Sequence, residues 1–79
     1  MKMNKRVKRF AILGKFSGMA RFEFLSLFGL ELGSVEQCEK AIYHLVRNDF
    51  VSTSGWLAIE SPDRKILKTY YFNEGKLAE

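Results

Sequence analysis

Cysteine, proline, histidine and tryptophan each occur only once in this 79-residue chain. The lone Cys38 cannot close an internal disulfide and has no second thiolate with which to hold zinc, so a reducing cytoplasm is the expected compartment. With His44 as the only histidine, no multi-histidine metal site and no Ser-His-Asp arrangement can be assembled. The carboxylates are scattered without a pair for acid–base work, and no glycine-rich phosphate loop is present. No catalytic residue, metal or cofactor is therefore expected. No apolar run approaches the roughly 18 residues that a membrane-spanning helix needs. The basic N-terminus lacks the uninterrupted apolar region and small-residue cleavage site of a signal peptide, so neither a leader nor a membrane partner is expected.

Acid is missing from one region in particular. The first 21 residues carry seven bases (Lys2, Lys5, Arg6, Lys8, Arg9, Lys15 and Arg21) and no acid, leaving six bases against nine acids in the rest. A basic segment on a mildly acidic body, with a formal net charge of +4, suits contact with a polyanion. Taken alone, such a run is more often a solvated surface that keeps a protein soluble. Apolar residues make up 47% of the chain and aromatics 14%, enough for a folded core and against disorder. The length suits one domain, spanning 1–79 with a basic arm over about 1–9.

The most regular stretch is Ser34 to Asn48. Ser34 stands three residues before Gln37, the spacing at which a Ser hydroxyl and a Gln side chain satisfy free backbone donors at a helix start. Val35, Cys38, Ile42, Leu45 and Val46 recur at steps of three and four and form one side. Gln37, Lys40, His44 and Arg47 form the opposite, polar side, with Glu36 at its rim. The spacing predicts a helix over 34–48, with a stripe able to reach base edges. Earlier in the chain, Val7, Phe10, Leu13 and Phe16 predict a helix over 5–16, and the apolar cluster of Met19 to Phe28 a second helix over 19–28. Gly29 to Gly33 reads as the turn between the second and third helices. Beyond Asn48 the chain is rich in Trp, Ile, Thr, Tyr and Phe, which predicts strands over 56–60 and 66–72. Ser61-Pro62-Asp63-Arg64 is the turn between them. The expected core is Phe10, Leu13, Phe22, Leu25, Phe28, Val35, Cys38, Ile42, Leu45, Val46 and Phe50.

Three helices followed by a hairpin tipped with Arg64 and Lys65 resemble the winged helix-turn-helix family of DNA-binding proteins, an α+β fold with a two-stranded β-hairpin wing. The resemblance spans Phe10 to Phe72, and its most recognisable section is Phe22 to Val51, where a Leu-rich second helix, a Gly-containing turn and a third helix lead into Phe50-Val51. In size, and in the closing Thr69-Tyr70-Tyr71-Phe72, the chain is also similar to the small regulators of fimbrial operons (the PapI/FaeA type). The resemblance implies double-stranded DNA as the partner. Gln37, Lys40, His44 and Arg47 would read the major groove, while Arg64 and Lys65 of the wing hold flanking backbone. The arm residues Lys5, Arg6, Lys8 and Arg9 would add phosphate contacts. The expected function is that of a small transcriptional regulator, with a homodimer or protein partner to extend the site. The alternative is a winged-helix protein–protein interaction module, docking through its first helix or an aromatic sheet edge without touching DNA. Trp56 and the Tyr70-Tyr71 pair could stack on bases, although strand aromatics more often pack a sheet onto helices.

Overall fold

The structure, a computed structural model, describes residues 9–25 and 32–78. The third predicted helix is present, as α1 over Val35–His44, and it continues into a π-helical turn over Leu45–Asp49. Its start follows the predicted cap, with the Gln37 N–H donating to Ser34 Oγ at 3.2 Å. The Gln37 side chain reaches one residue further back, its Oε1 accepting from the Gly33 N–H at 2.7 Å. At the other end the Phe50 N–H donates to the Leu45 carbonyl at 2.8 Å, an i→i+5 bond that widens the last turn. Poor helix formers stand there, Asn48 and Asp49, so the ladder is easily loosened.

The other described residues are mostly sheet, which overturns the three-helix winged-helix architecture. Five antiparallel strands, β1 (Ala11–Phe16), β2 (Glu23–Phe24), β3 (Ser54–Glu60), β4 (Ile66–Asn73) and β5 (Lys76–Leu77), lie in the order β2-β1-β3-β4-β5. The expected hairpin is real, but it is the middle of a larger sheet and not an appended wing. Residues 11–16 of the predicted first helix form a strand, and Ala11↔Glu60 through Phe16↔Gly55 pair in unbroken register. In place of the predicted second helix, residues 19–22 are irregular and Glu23–Phe24 form the short β2; its residues 26–28 lie outside the described residues, as do 5–8 of the first.

Local chemistry explains both changes. Phe10 to Phe16 is a nearly continuous apolar run, and such a run fits a buried strand as well as one side of a helix. Gly14 disfavours the helix, while Ile12 and Phe16 suit a pleated surface. Pairing with β3 then decides, because Gly55 lets the strands close up: a Cβ there would stand 2.6 Å from the Lys15 carbonyl oxygen. Gly18 adopts a φ of 91°, left-handed geometry that glycine takes without penalty and that starts the chain back toward β2.

The helix lies across one face of the sheet. Cys38, Ala41, Ile42 and Val46 pack on Ile12, Leu57, Ile59 and Phe72, all buried. Phe16, Phe50 and Phe72 close the end of this layer with ring centroids 5.1–6.0 Å apart. Of the expected core, Cys38, Ile42, Leu45 and Val46 are buried, while Phe10, Leu13, Phe22, Leu25, Val35 and Phe50 are only partly so. Phe28 lies outside the described residues.

Candidate functional site

Alternation along the strands sorts the side chains onto two faces, since residues directly opposite in an antiparallel pair share a face. Ile12↔Ile59, Gly14↔Leu57 and Phe16↔Gly55 belong to the helix side, together with Tyr70 and Phe72 of β4. Leu13↔Ala58 and Lys15↔Trp56 belong to the other side, with Thr69, Tyr71 and, through Leu13, Phe24. Among the described residues no second helix packs on that other face. Ala11 and Ala58 are fully enclosed on this face, while Trp56, Tyr71 and Phe24 keep 43%, 39% and 58% of their surface exposed.

Two clefts border this face, the first at the strand ends, where it also takes in Phe16 and Gly55 of the helix side. The first, about 270 Å³, is lined by Lys15, Phe16, Ser17, Ser54, Trp56 and Tyr71. The indole of Trp56 and the ring of Tyr71 meet at 5.2 Å with a 59° tilt, a steeply inclined pair that leaves ring surface to solvent. Lys15 stands beside Trp56 in the register and brings a cation to the same cleft. The second cleft, about 330 Å³, is lined by Leu13, Phe22, Phe24, Glu60 and Arg64. Each thus combines aromatic surface with a long cation, the pairing that engages a base and its phosphate.

The adjacent tyrosines illustrate how the pleat divides labour. Tyr71 lines the first cleft, whereas the hydroxyl of Tyr70, on the helix side, donates to Glu39 Oε2 at 2.7 Å. The Lys68 ammonium meets the same carboxylate oxygen at 2.7 Å, so β4 is clasped to α1. The hydrogen bond from Lys68, then that from Tyr70, holds the Glu39 carboxyl below its usual range. Burial, reinforced by Glu39, pushes the Tyr70 phenol up to about 12, which keeps it a donor. Burial also raises the Cys38 thiol, with Glu39 adding to the effect, so little reactive thiolate is present there.

The residues singled out from the sequence fall into separate groups. Gln37, Lys40, His44 and Arg47 are exposed along the outer side of α1 and its π-helical extension, as expected. Two of them are locally engaged: the Gln37 side chain holds the Gly33 N–H, and Asn48 Nδ2 contacts the His44 ring at 3.3 Å while donating to the His44 carbonyl at 2.9 Å. Arg64 and Lys65 are exposed in the β3–β4 turn, and Arg9 is exposed just ahead of β1. Because Ala11 pairs with Glu60, Arg9 and that turn lie at the same end of the sheet. Lys5, Arg6 and Lys8 lie outside the described residues.

The sequence alone gives no reason to place Lys15, Phe22 or Phe24 at a site, and it favours packing over stacking for Trp56 and Tyr71. The signal for them is the two-residue alternation Leu13/Lys15 and Trp56/Ala58, which has meaning only once both segments are known to be paired strands. Among the described residues no helix is long and apolar enough to cross a membrane. Compared with family models, curated proteins and solved structures, the chain matches none.

Proposed function

We propose that the protein binds single-stranded nucleic acid on the sheet face opposite the helix. The observation that carries this reading is the half-exposed Trp56–Tyr71 pair beside Lys15 at the first cleft. An aromatic side chain stacked on a base is worth ~1–3 kcal/mol, and every base has a ring face to offer. A duplex keeps those faces stacked on one another, so exposed rings on a sheet favour the single strand. The seven bases and no acids of residues 1–21 add an attraction for phosphate that carries no sequence information. Arg9, Arg64 and Lys65 extend the same positive character along one end of the sheet. The alternative route, a duplex groove read by α1, is less favoured because the Gln37 amide oxygen is already spent on the Gly33 N–H.

The unique tryptophan makes the test direct. Titrating the protein with oligo(dT) and with a duplex of matched length, at several salt concentrations, should quench Trp56 fluorescence with the single strand. Affinity should fall steeply with salt, because each neutralised phosphate releases counterions. Tighter binding of the duplex, with Trp56 emission unchanged, would overturn the proposal and return attention to Lys40 and Arg47.

A further inference from the structure

The β3–β4 turn contains a residue whose backbone does not suit its side chain. The Arg64 N–H donates to the Ser61 carbonyl at 2.9 Å, and the Ser61 N–H donates to the Lys65 carbonyl at 2.8 Å. Ser61 Oγ accepts from the Lys65 N–H at 3.1 Å and is also hydrogen-bonded to the Asp63 carboxylate. This loop closes with a residue in left-handed geometry, a position usually held by glycine. Here it is Arg64, with a φ of 70°. A long side chain in that conformation costs folding free energy that glycine or asparagine would spare. Such strain gives reason to ask what the side chain does.

Arg64 lines the second cleft with Leu13, Phe22, Phe24 and Glu60. Phe24 is the most exposed large apolar residue described, at 58%, and it shares the open face with Trp56 through the pairs Leu13↔Phe24 and Leu13↔Ala58. Trp56 of the first cleft and Glu60 of the second are four residues apart on β3, or ~13 Å at the usual strand rise. A single nucleotide in the first cleft does not reach the second, whereas a short oligonucleotide does. The exposed Phe24 ring and the neighbouring Phe22 suit a base ring as the occupant of the second cleft, with Arg64 beside it for stacking or for the neighbouring phosphate.

We infer that the Phe22–Phe24–Arg64 cleft is a second base-binding subsite, so that one strand is gripped at both ends of the open face. Arg64 keeps its strained backbone in order to complete that subsite. This inference rests on the reading of the open face as a single-strand surface.

The experiment follows Trp56 quenching with a mononucleotide, an oligonucleotide of four and one of eight, for the wild-type chain, Arg64→Gly and Phe24→Ala. Binding should tighten sharply between the mononucleotide and the longer ligands in the wild type. Each variant should lose roughly tenfold in affinity for the eight-residue oligonucleotide, the scale of one lost base stack. Both should bind the mononucleotide as the wild type does. Arg64→Gly should also melt at a higher temperature than the wild type, gaining stability while losing affinity. Phe24→Ala, at an exposed position, keeps the test valid if the altered turn disturbs the fold. Quenching by the longer oligonucleotides with wild-type affinity in both variants would overturn the second subsite and leave the first intact. No response of Trp56 to any oligonucleotide would instead remove the single-strand reading itself.

Discussion

The two faces of the sheet are built from the same strands yet do opposite things with their large side chains. On the helix side Ile12, Leu57, Ile59 and Phe72 are fully enclosed against Cys38, Ile42 and Val46. On the other side Ala11 and Ala58 are enclosed, but Trp56, Tyr71 and Phe24 remain substantially exposed. Neighbouring residues of one strand illustrate the contrast: Phe72 is sealed, Tyr71 is open, and Tyr70 is tied to Glu39. Burying a large aromatic side chain stabilises a fold by up to a few kcal/mol, so rings left half in water forgo part of that gain. One face thus holds the fold together, and the other has surface available for a ligand.

Substitution at adjacent positions of β4 should separate the faces most clearly. Phe72→Ala removes a fully buried ring and should cost about 3–5 kcal/mol, a large share of what a domain this small possesses. Tyr71→Ala removes only the ring contact with Trp56 and some partly exposed surface, and should cost about 1 kcal/mol. Chemical denaturation of both variants measures the ratio. Equal losses would mean that the open face is as much a part of the core as the covered one.

The smallest expected effect concerns the clasp at the edge of the covered face. Glu39 has a folded-state pKa below its ordinary 4.5, chiefly through the hydrogen bond from Lys68. Its contribution is therefore present above the ordinary carboxylate range and is lost as the pH falls through the depressed value. Lys68 is raised above its ordinary 10.5, chiefly by its bond to Glu39, so its contribution is complete below that value and is lost as the pH rises past it. Glu39→Gln should lower the melting temperature slightly at neutral pH and flatten its decline in acid. Melting curves between pH 3 and pH 7 check this. An acid profile identical to that of the wild type would show that the clasp adds nothing.

Legibility from sequence divided along the chain. Ser34 to Asn48 could be read because the cap, the apolar seam and the polar stripe all agree on one period. The β3–β4 hairpin could be read because β-rich segments flank Pro62-Asp63, although the strands extend slightly beyond the predicted limits. Residues 11–24 could not, because Phe10 to Phe16 is apolar at nearly every position and satisfies either period. What makes it a strand is pairing with β3 some forty residues later, a contact that local periodicity does not contain. The winged-helix expectation failed at that point, since a helix-turn-helix needs helices where β1 and β2 lie. The candidate site was hidden for the same reason. In the sequence Lys15 belongs to a basic run and Trp56 to a strand, and only the sheet sets them side by side.

A ligand on the face opposite the helix would perturb the strands and spare the outer side of α1. Backbone amide chemical-shift mapping with a single-stranded oligonucleotide tests it most directly. The shifts should concentrate at Leu13, Lys15, Trp56, Ala58, Thr69 and Tyr71, and extend to Phe24 and Arg64 as the ligand lengthens. Shifts confined to Lys40, His44 and Arg47 along the outer side of α1, with the sheet signals unmoved, would contradict the account.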